Sequence, residues 1–175
     1  MPGLFHLQVD CGRKGWPMTD PKVAQVVAAG AAIGLEVRPV TFPTETRTAM
    51  DAAEAVGCNV GQIVKSLVFQ SGDEALLYLV SGANRLDEAK AMSLASVGSL
   101  LRADAAFAKR ATGFSIGATP PFGHINTLRI FMDEDLLAFD EVWAAAGRPD
   151  SVFPVTPHAL ASATRARVGA LAAAS

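Results

Sequence analysis

The stretch QIVKSLVFQ, which runs from Gln62 to Gln70, carries the clearest strand pattern in the chain. Its residues alternate between two faces: Val64, Ser66 and Val68 lie on one face, and the more apolar face carries the residues between them. A turn at residues 71–73 and a second apolar run at 75–80 follow directly. Two apolar runs separated by a short glycine-containing turn predict a β-hairpin. The sequence therefore predicts that these two strands pair as a hairpin.

Within this strand, the alternation places Lys65 on the same face as Ile63, Leu67 and Phe69. A lysine on an apolar face is unusual. One interpretation is structural: the aliphatic stem packs while the amine reaches water. The other is functional: the amine lies at the mouth of a pocket, where it binds an anion or stabilises developing charge. Periodicity alone leaves both open.

The remaining elements are predicted from cap and stop signals. Aspartate or threonine before a helix, proline at its first position and glycine after its end are typical boundaries. Short strands mixed with helices, without strict βα alternation, favour an α+β fold built on a mixed sheet or a barrel. The predicted elements are a helix after Asp20-Pro21, an edge strand at 36–42, a helix after the capping box Thr48–Asp51, helices at 84–94, 104–112 and 141–146, strands at 128–132 and 152–155, and a helix after Thr156-Pro157.

Length and composition limit the class of protein. A chain of 175 residues favours one domain with a single core, which we assign to 18–175. Residues 1–17 show neither the alternation of a strand nor the period of a helix, and they are expected to be a poorly ordered leader. We find no signal peptide and no bilayer-spanning run, and Cys11 and Cys58 are far apart, so a reducing cytoplasm is expected. A formal net charge of −2 argues against broad capture of nucleic acid, although a protein that touches only an RNA end does not need it.

A second conspicuous stretch is GFSIGATPPFG, from Gly113 to Gly123. Three glycines and two adjacent prolines do not fit a helix or a central strand. Proline also reduces the freedom of the chain, so we expect a rigid loop with unpaired backbone groups. Such a loop suits recognition of a small polar ligand. The alternative is a tight connection between strands.

Other candidate groups are weaker. His124 directly follows the loop and is either a base or donor or a structural histidine. The acidic run Asp133, Glu134 and Asp135 either binds a cation or is a solvated turn. Cys58 is expected to be inert. The chain has no GxSxG, HExxH or P-loop pattern, and we expect neither a metal site nor a cofactor.

Three segments together resemble the YbaK/EbsC-like prolyl-tRNA editing domain family. They are VGQIVKSLVF from Val60 to Phe69, GATPP from Gly117 to Pro121, which fits the family's GxxxP motif, and FMDEDLL from Phe131 to Leu137, followed by AAG at 145–147 and Val152-Phe153. The resemblance covers residues 20 to 170. It implies a small mixed, barrel-like sheet flanked by helices, and hydrolysis of the ester that joins a wrong amino acid to tRNA, typically the tRNA for proline.

The resemblance also implies roles for residues. Lys65 matches the family's functional lysine, and Gly117 and Pro121 match the loop that holds the aminoacyl end. We therefore expect Lys65 and Gly117 to be catalytic. The residues expected to bind substrate are Ile116, Ala118, Thr119, Pro120, Pro121, His124 and Thr46, and Ser115 is a further pocket candidate.

The implied partner is the acceptor end of an aminoacyl-tRNA, and prolyl-tRNA synthetase is a further candidate. The sequence shows no synthetase modules, which favours a freestanding enzyme that acts in trans. Two alternatives stay open: a non-catalytic module that binds tRNA ends or a synthetase, and a small-ligand binding protein unrelated to translation.

Overall fold

The computed structural model describes residues 20–174. The leader assigned to residues 1–17, which includes Cys11, therefore lies outside the described residues. The described part contains five α-helices: α1 Pro21–Ala32, α2 Ala49–Val56, α3 Glu88–Ala95, α4 Ala105–Thr112 and α5 Pro157–Thr164. Its eight strands are β1 Val40–Thr41, β2 Val64–Ser71, β3 Glu74–Ser81, β4 Leu101–Arg102, β5 Arg129–Asp133, β6 Val142–Ala145, β7 Ser151–Val155 and β8 Arg167–Gly169.

The strands form two sheets. The larger sheet has the order β4-β2-β3-β5-β8, with the antiparallel hairpin β2–β3 near its centre and parallel pairing from β3 to β5 and β8. The smaller sheet has the order β1-β7-β6 and is antiparallel. A single parallel bridge between Ile63 and Trp143 connects the two sheets. The fold is the expected α+β mixture flanked by helices, but the sheet is not a closed barrel.

The hairpin separates two layers of core. Leu77 and Leu79 of β3 pack with Val64 and Val68 of β2 in a cluster that also takes in the small sheet, α1 and α4. The intervening residues of β3, with Phe69, pack on the other side against α3. Because β3 is covered on both faces, its sequence is a continuous apolar run rather than an alternating one. On the α3 side, the buried Tyr78 hydroxyl donates to the carbonyl of Ala91 at 2.9 Å and joins helix to sheet.

Cap chemistry explains where the helices begin. Asp20 accepts hydrogen bonds from the N–H groups of Lys22 and Val23, and proline occupies the first position of α1. Thr48 and Asp51 form the expected capping box at α2. These predictions are confirmed, as are the hairpin and the helix after Asp104. No helix within residues 20–174 is both long enough and apolar enough to cross a membrane.

Three element predictions are corrected. The helix expected at 141–146 is wrong, because residues 142–145 form strand β6. Its alanines favour a helix, but Val142, Ala144 and Ala146 are buried and alternate with half-exposed residues, and pairing with β7 overrides the local preference. The helix expected from Asn84 begins at Glu88, with Asp87 as its N-cap. The edge strand expected at 36–42 is reduced to β1, which does lie at a sheet edge.

Candidate active site

A cleft of about 350 Å³ opens between the two sheets, beside the bridge between Ile63 and Trp143. Its walls come from five parts of the chain: the first half of β2, strands β6 and β7 with the turn between them, the segment that enters α2, the tip of the Gly113–Gly123 loop, and Arg102 of β4. This volume is at the lower end of the range for small-ligand sites. The cleft therefore brings together segments that are far apart in sequence.

Lys65 lies in this cleft, on the face of β2 that Leu67 and Phe69 share. Its stem is half-buried, and its Nζ donates a hydrogen bond to the backbone carbonyl of Asn84. Burial holds the pKa of this amine below its usual value, and the nearby Arg102 lowers it further, whereas Asp133 acts in the opposite direction. A held amine in a cleft is the arrangement that the functional interpretation requires, and free snorkelling is not what the geometry shows.

The cleft also exposes backbone groups along the edge of β2. Beyond β3, this strand pairs with β4 only at Phe69 and Gln70, and with β6 only through the bridge at Ile63. The N–H of Gly82 bonds the carbonyl of Ile63 on the β3 side, while the N–H of Ala103 bonds the carbonyl of Val68 on the outer side. Because the direction alternates along a strand, the backbone groups of Ser66 point outward, to the open edge. The Ser66 hydroxyl is buried and has no hydrogen-bond partner within the described residues.

Side-chain and backbone hydrogen bonds hold the Gly113–Gly123 loop. The Lys22 amine donates to the carbonyl of Gly113 at 2.8 Å, and the Thr119 hydroxyl donates to the carbonyl of Ser115 at 3.1 Å. Residues 118–122 are buried, whereas Ser115, Ile116 and Gly117 are exposed at the tip. Gly117 has a φ of +86°, and no atom lies within 4 Å of the position that a Cβ would take. The tip is thus a left-handed turn presented to the cleft by a packed base.

The structure brings together some of the predicted site residues and not others. Those that line the cleft are Thr46, Lys65, Ile116, Gly117 and Thr119. Ala118, Pro120 and Pro121 are buried in the base of the loop and do not line the cleft, and Ser115 is not part of the cleft wall.

His124 also lies outside the cleft. Its Nε2 is 2.7 Å from the carbonyl oxygen of Pro120, and burial lowers the pKa of its imidazole. This position braces the base of the loop from behind, which is the structural interpretation of His124.

Sequence reasoning missed most of the residues that line the cleft, and four of these matter for its chemistry. They are Arg47, Arg102, Arg148 and Trp143. Among the described residues that line the cleft, the charged ones are these three arginines and Lys65, and none is acidic. Arg148 is paired with Asp20 at 2.5 Å and with Asp150 at 2.8 Å, whereas Arg47 and Arg102 form no ion pair within residues 20–174. The alternation in β6 points to Trp143, but only once residues 142–145 are assigned as a strand.

The first residue of the acidic run is used in hydrogen bonds inside the protein. Asp133 is fully buried and accepts hydrogen bonds from the N–H of Ser81 at 3.2 Å and the side-chain amide of Asn84 at 2.9 Å. Within residues 20–174, no group of three or more histidine, cysteine, aspartate or glutamate side chains is arranged to hold a metal ion. At Cys58, burial raises the pKa of the thiol, which disfavours the reactive thiolate.

Comparisons with known proteins agree with this geometry. A solved structure of a protein proposed to be a trans-editing enzyme for prolyl tRNA synthetase superposes with a TM-score of 0.84 and 45% identity, covering 88% of this chain and 98% of the other. Protein YwhH of Bacillus subtilis strain 168 is 28% identical over 128 residues, 73% of this chain and 81% of YwhH. The proline–tRNA ligase of Desulforamulus reducens is 26% identical over 133 residues, 74% of this chain but 23% of the ligase. The family model of the aminoacyl-tRNA editing domain matches residues 43–163, more than half of the chain, and the chain belongs to that family.

Proposed function

We propose that this protein is a freestanding deacylase that hydrolyses the ester of a mischarged aminoacyl-tRNA. The observation that carries the proposal is the cleft itself. Lys65 and the Gly117 tip, which come from separate family motifs, lie in one cleft whose described charged residues are all cationic. The end of a charged tRNA is anionic at its phosphates and apolar or weakly polar at its amino acid. The cleft offers both kinds of surface.

The cationic side of the cleft binds the nucleotide part of the substrate. Arg47 and Arg102 are exposed and unpaired within the described residues, so their charge is available to phosphates. Lys65 lies deeper and contacts the terminal ribose or phosphate. Arg148 is already shared by two carboxylates and is therefore assigned to shaping the wall. A site of this kind requires few contacts with RNA, in keeping with the small net charge of the chain.

The apolar side of the cleft binds the aminoacyl part. Ile116, Trp143 and Val152 lie among the lining residues. Hydrophobic pockets separate amino acids that differ by one methylene by only about 1–3 kcal/mol, which is why synthetases that handle small residues need a second, editing site. We propose that this pocket accepts a small wrong amino acid, and that the tRNA is the one for proline. The resemblance to a protein proposed to edit for prolyl tRNA synthetase supports that choice.

The chemistry needs no protein nucleophile. An aminoacyl ester is already activated, and each tenfold acceleration requires about 1.4 kcal/mol of barrier reduction. A positioned water attacks the ester carbonyl, and the ribose hydroxyl beside the ester orients or activates that water. Carbonyl groups of the loop accept hydrogen bonds from the substrate ammonium group. The outward N–H of Ser66, at the open edge of β2, is a donor for the oxyanion that forms.

The test is a deacylation panel with the purified chain. The substrates are tRNA for proline carrying alanine, cysteine, serine, threonine or proline, and an unrelated mischarged tRNA; free amino acid is measured over time. We expect one small wrong amino acid to be released at least tenfold faster than proline. Lys65→Ala, prepared in the same way, controls for a contaminating hydrolase.

The other outcomes of the panel identify the alternatives. Binding of an acceptor-stem mimic without release of any amino acid indicates a non-catalytic module. Neither release nor binding removes tRNA as the partner.

A further inference from the structure

The Lys65 amine donates a hydrogen bond to Asn84, and side-chain hydrogen bonds fix Asn84 in turn. The carbonyl of Asn84, to which the lysine amine donates, belongs to the segment between β3 and α3. The side-chain amide of Asn84 donates to Asp133 Oδ2 at 2.9 Å and to Asp135 Oδ2 at 2.7 Å. One asparagine therefore contacts the candidate catalytic amine through its backbone and two carboxylates through its side chain.

The carboxylate behind Asn84 is firmly placed. Asp133 ends β5, is fully buried, and its Oδ1 accepts the N–H of Asp135 at 3.0 Å at the start of a 3₁₀ turn. Its Oδ2 accepts the N–H of Ser81, the last residue of β3. A buried carboxylate is costly unless hydrogen bonds or a cation compensate it. Here hydrogen bonds surround it, and the Lys65 amine is close enough to feel its charge.

We propose that Asn84, clamped by Asp133 and Asp135, is a positioning residue that holds the Lys65 amine at the wall of the cleft. The role in catalysis rests on the proposed function, whereas the link between the three residues and the amine does not. Lysine has a long, flexible stem with many accessible rotamers, so a loose amine at this edge samples water rather than the cleft. A fixed carbonyl removes that freedom before substrate arrives, which is the condition for electrostatic preorganisation.

The charges around the amine come from three elements. Arg102 of β4 disfavours the protonated amine, Asp133 of β5 favours it, and burial on β2 disfavours it. Asp135, from the 3₁₀ turn, adds a second carboxylate on the Asn84 side of the network. Asp133, which belongs to the acidic run that the sequence offers as a cation site, thus supplies the counter-charge to Lys65.

A double-mutant cycle tests the positioning role. Asn84→Ala keeps the backbone carbonyl but removes its clamp. We expect it to lower kcat/KM by about tenfold when Lys65 is present, and by less than twofold in a Lys65→Ala background, because an effect that passes through Lys65 cannot occur without it. An equal loss in both backgrounds means that Asn84 is merely structural and overturns the proposal.

Asn126→Ala is the matched control for this cycle. The Asn126 amide also makes two hydrogen bonds, to the carbonyls of Arg110 and Ala111 at 3.1 Å each, and lies outside the cleft. We expect its activity to stay within twofold of the parent. A tenfold loss there as well shows that breaking any such asparagine clamp lowers activity, and it counts against the specific role of Asn84.

The second measurement does not depend on activity. Reductive ¹³C-methylation followed by NMR titration reports the pKa of each of the five lysines, and Lys65→Ala identifies the Lys65 signal by its loss. Asp133→Asn is expected to lower the pKa of Lys65, since a compensating negative charge is removed. Asp135→Asn, at an exposed position, changes the second carboxylate that Asn84 contacts and is the second variant in case the buried substitution does not fold; we expect it, too, to shift the pKa of Lys65, since it alters the residue that holds the amine.

Together, the kinetic and pKa measurements distinguish a failure of the inferred link between the carboxylates and Lys65 from a failure of the proposed function. An unchanged Lys65 pKa in every carboxylate variant that folds overturns the inferred link. A lowered pKa in a protein that releases no amino acid from any tRNA keeps the link and refutes the proposed function instead.

Discussion

Replacing Gly117 with alanine separates a catalytic loop tip from a simple connection. Gly117 adopts φ +86°, and a Cβ there meets no atom within 4 Å, so the methyl group enters open space at the cleft wall. The cost to the fold is the left-handed backbone alone, about 1–2 kcal/mol for an L-residue. For a chain of this size this corresponds to a fall in Tm of about 2–8 °C. The fold should survive the substitution.

The chain contains a matched control for that strain. Gly34, which follows α1, has φ +84° and likewise no atom within 4 Å of a built Cβ, but it does not line the cleft. We therefore expect Gly34→Ala and Gly117→Ala to lower Tm by similar amounts. Only Gly117→Ala should also lower kcat/KM for deacylation, by tenfold or more, about 1.4 kcal/mol of transition-state stabilisation.

The assay is initial-rate release of amino acid from the preferred mischarged tRNA, beside thermal unfolding of the three proteins. If Gly117→Ala retains the activity of Gly34→Ala, the loop tip does not approach the substrate, and the loop is only a connection. If Gly117→Ala unfolds the protein while Gly34→Ala does not, the added methyl group at the tip meets neighbouring atoms, contrary to the open space around Gly117 in the structure. Either result contradicts the reasoning.

Four further predictions follow from the structure. Lys65→Ala should have a normal Tm and lose at least tenfold in kcat/KM for deacylation. Lys65→Arg should be partly active, because the planar guanidinium does not fit the Asn84 carbonyl as the amine does. Normal hydrolysis by the alanine variant removes Lys65 from the mechanism. Partial burial lowers the pKa of His124 in the folded chain. As the pH falls below about 6.5, the ordinary pKa of histidine, the unfolded chain therefore binds more protons than the folded chain, and the free energy of unfolding decreases. His124→Gln should flatten this part of the curve of unfolding free energy against pH, and an unchanged curve refutes the assignment. A chain that starts at Met18 should keep its Tm and activity, and a large loss of either shows that the leader packs on the domain. Three phosphate contacts predict a slope of about −2 in log binding constant against log salt for an acceptor-end oligonucleotide, whereas a slope near zero excludes Arg47, Arg102 and Lys65 as phosphate ligands.

Local signals predicted much of the fold. Asp20, Thr48 and Asp104 cap helices as their types and positions indicate, because a cap depends on only a few neighbouring residues. The hairpin is likewise local. Strand β6 was missed for the opposite reason: VWAA is a strand only because β7 pairs with it and the core covers its inner face. Nothing within those four residues shows that partner.

The residues of the candidate site likewise divide into those with a local sequence signal and those that depend on distant contacts. The Lys65 alternation and the glycines and prolines of the loop are visible in the sequence, and both segments reach the cleft. Arg102 is not visible in this way, since it stands on a two-residue strand without period, and its place beside Lys65 depends on the pairing of β4 with β2. The role of Asn84 is similarly hidden, because it depends on contacts with Asp133 and Asp135, which lie about 50 positions later in the chain.

Net charge was the weakest guide to function for a physical reason. A chain with 15 basic and 17 acidic residues has almost no long-range attraction for RNA, and salt screens what remains beyond about 10 Å. A ligand in the cleft, however, responds to the charges within that distance, and all four charged residues among the described cleft residues are cationic. The acidic residues are used elsewhere: Asp133 and Asp135 hold Asn84, and Asp20 and Asp150 hold Arg148. An acidic protein can thus present a cationic site, provided that its carboxylates support that site from behind rather than line it.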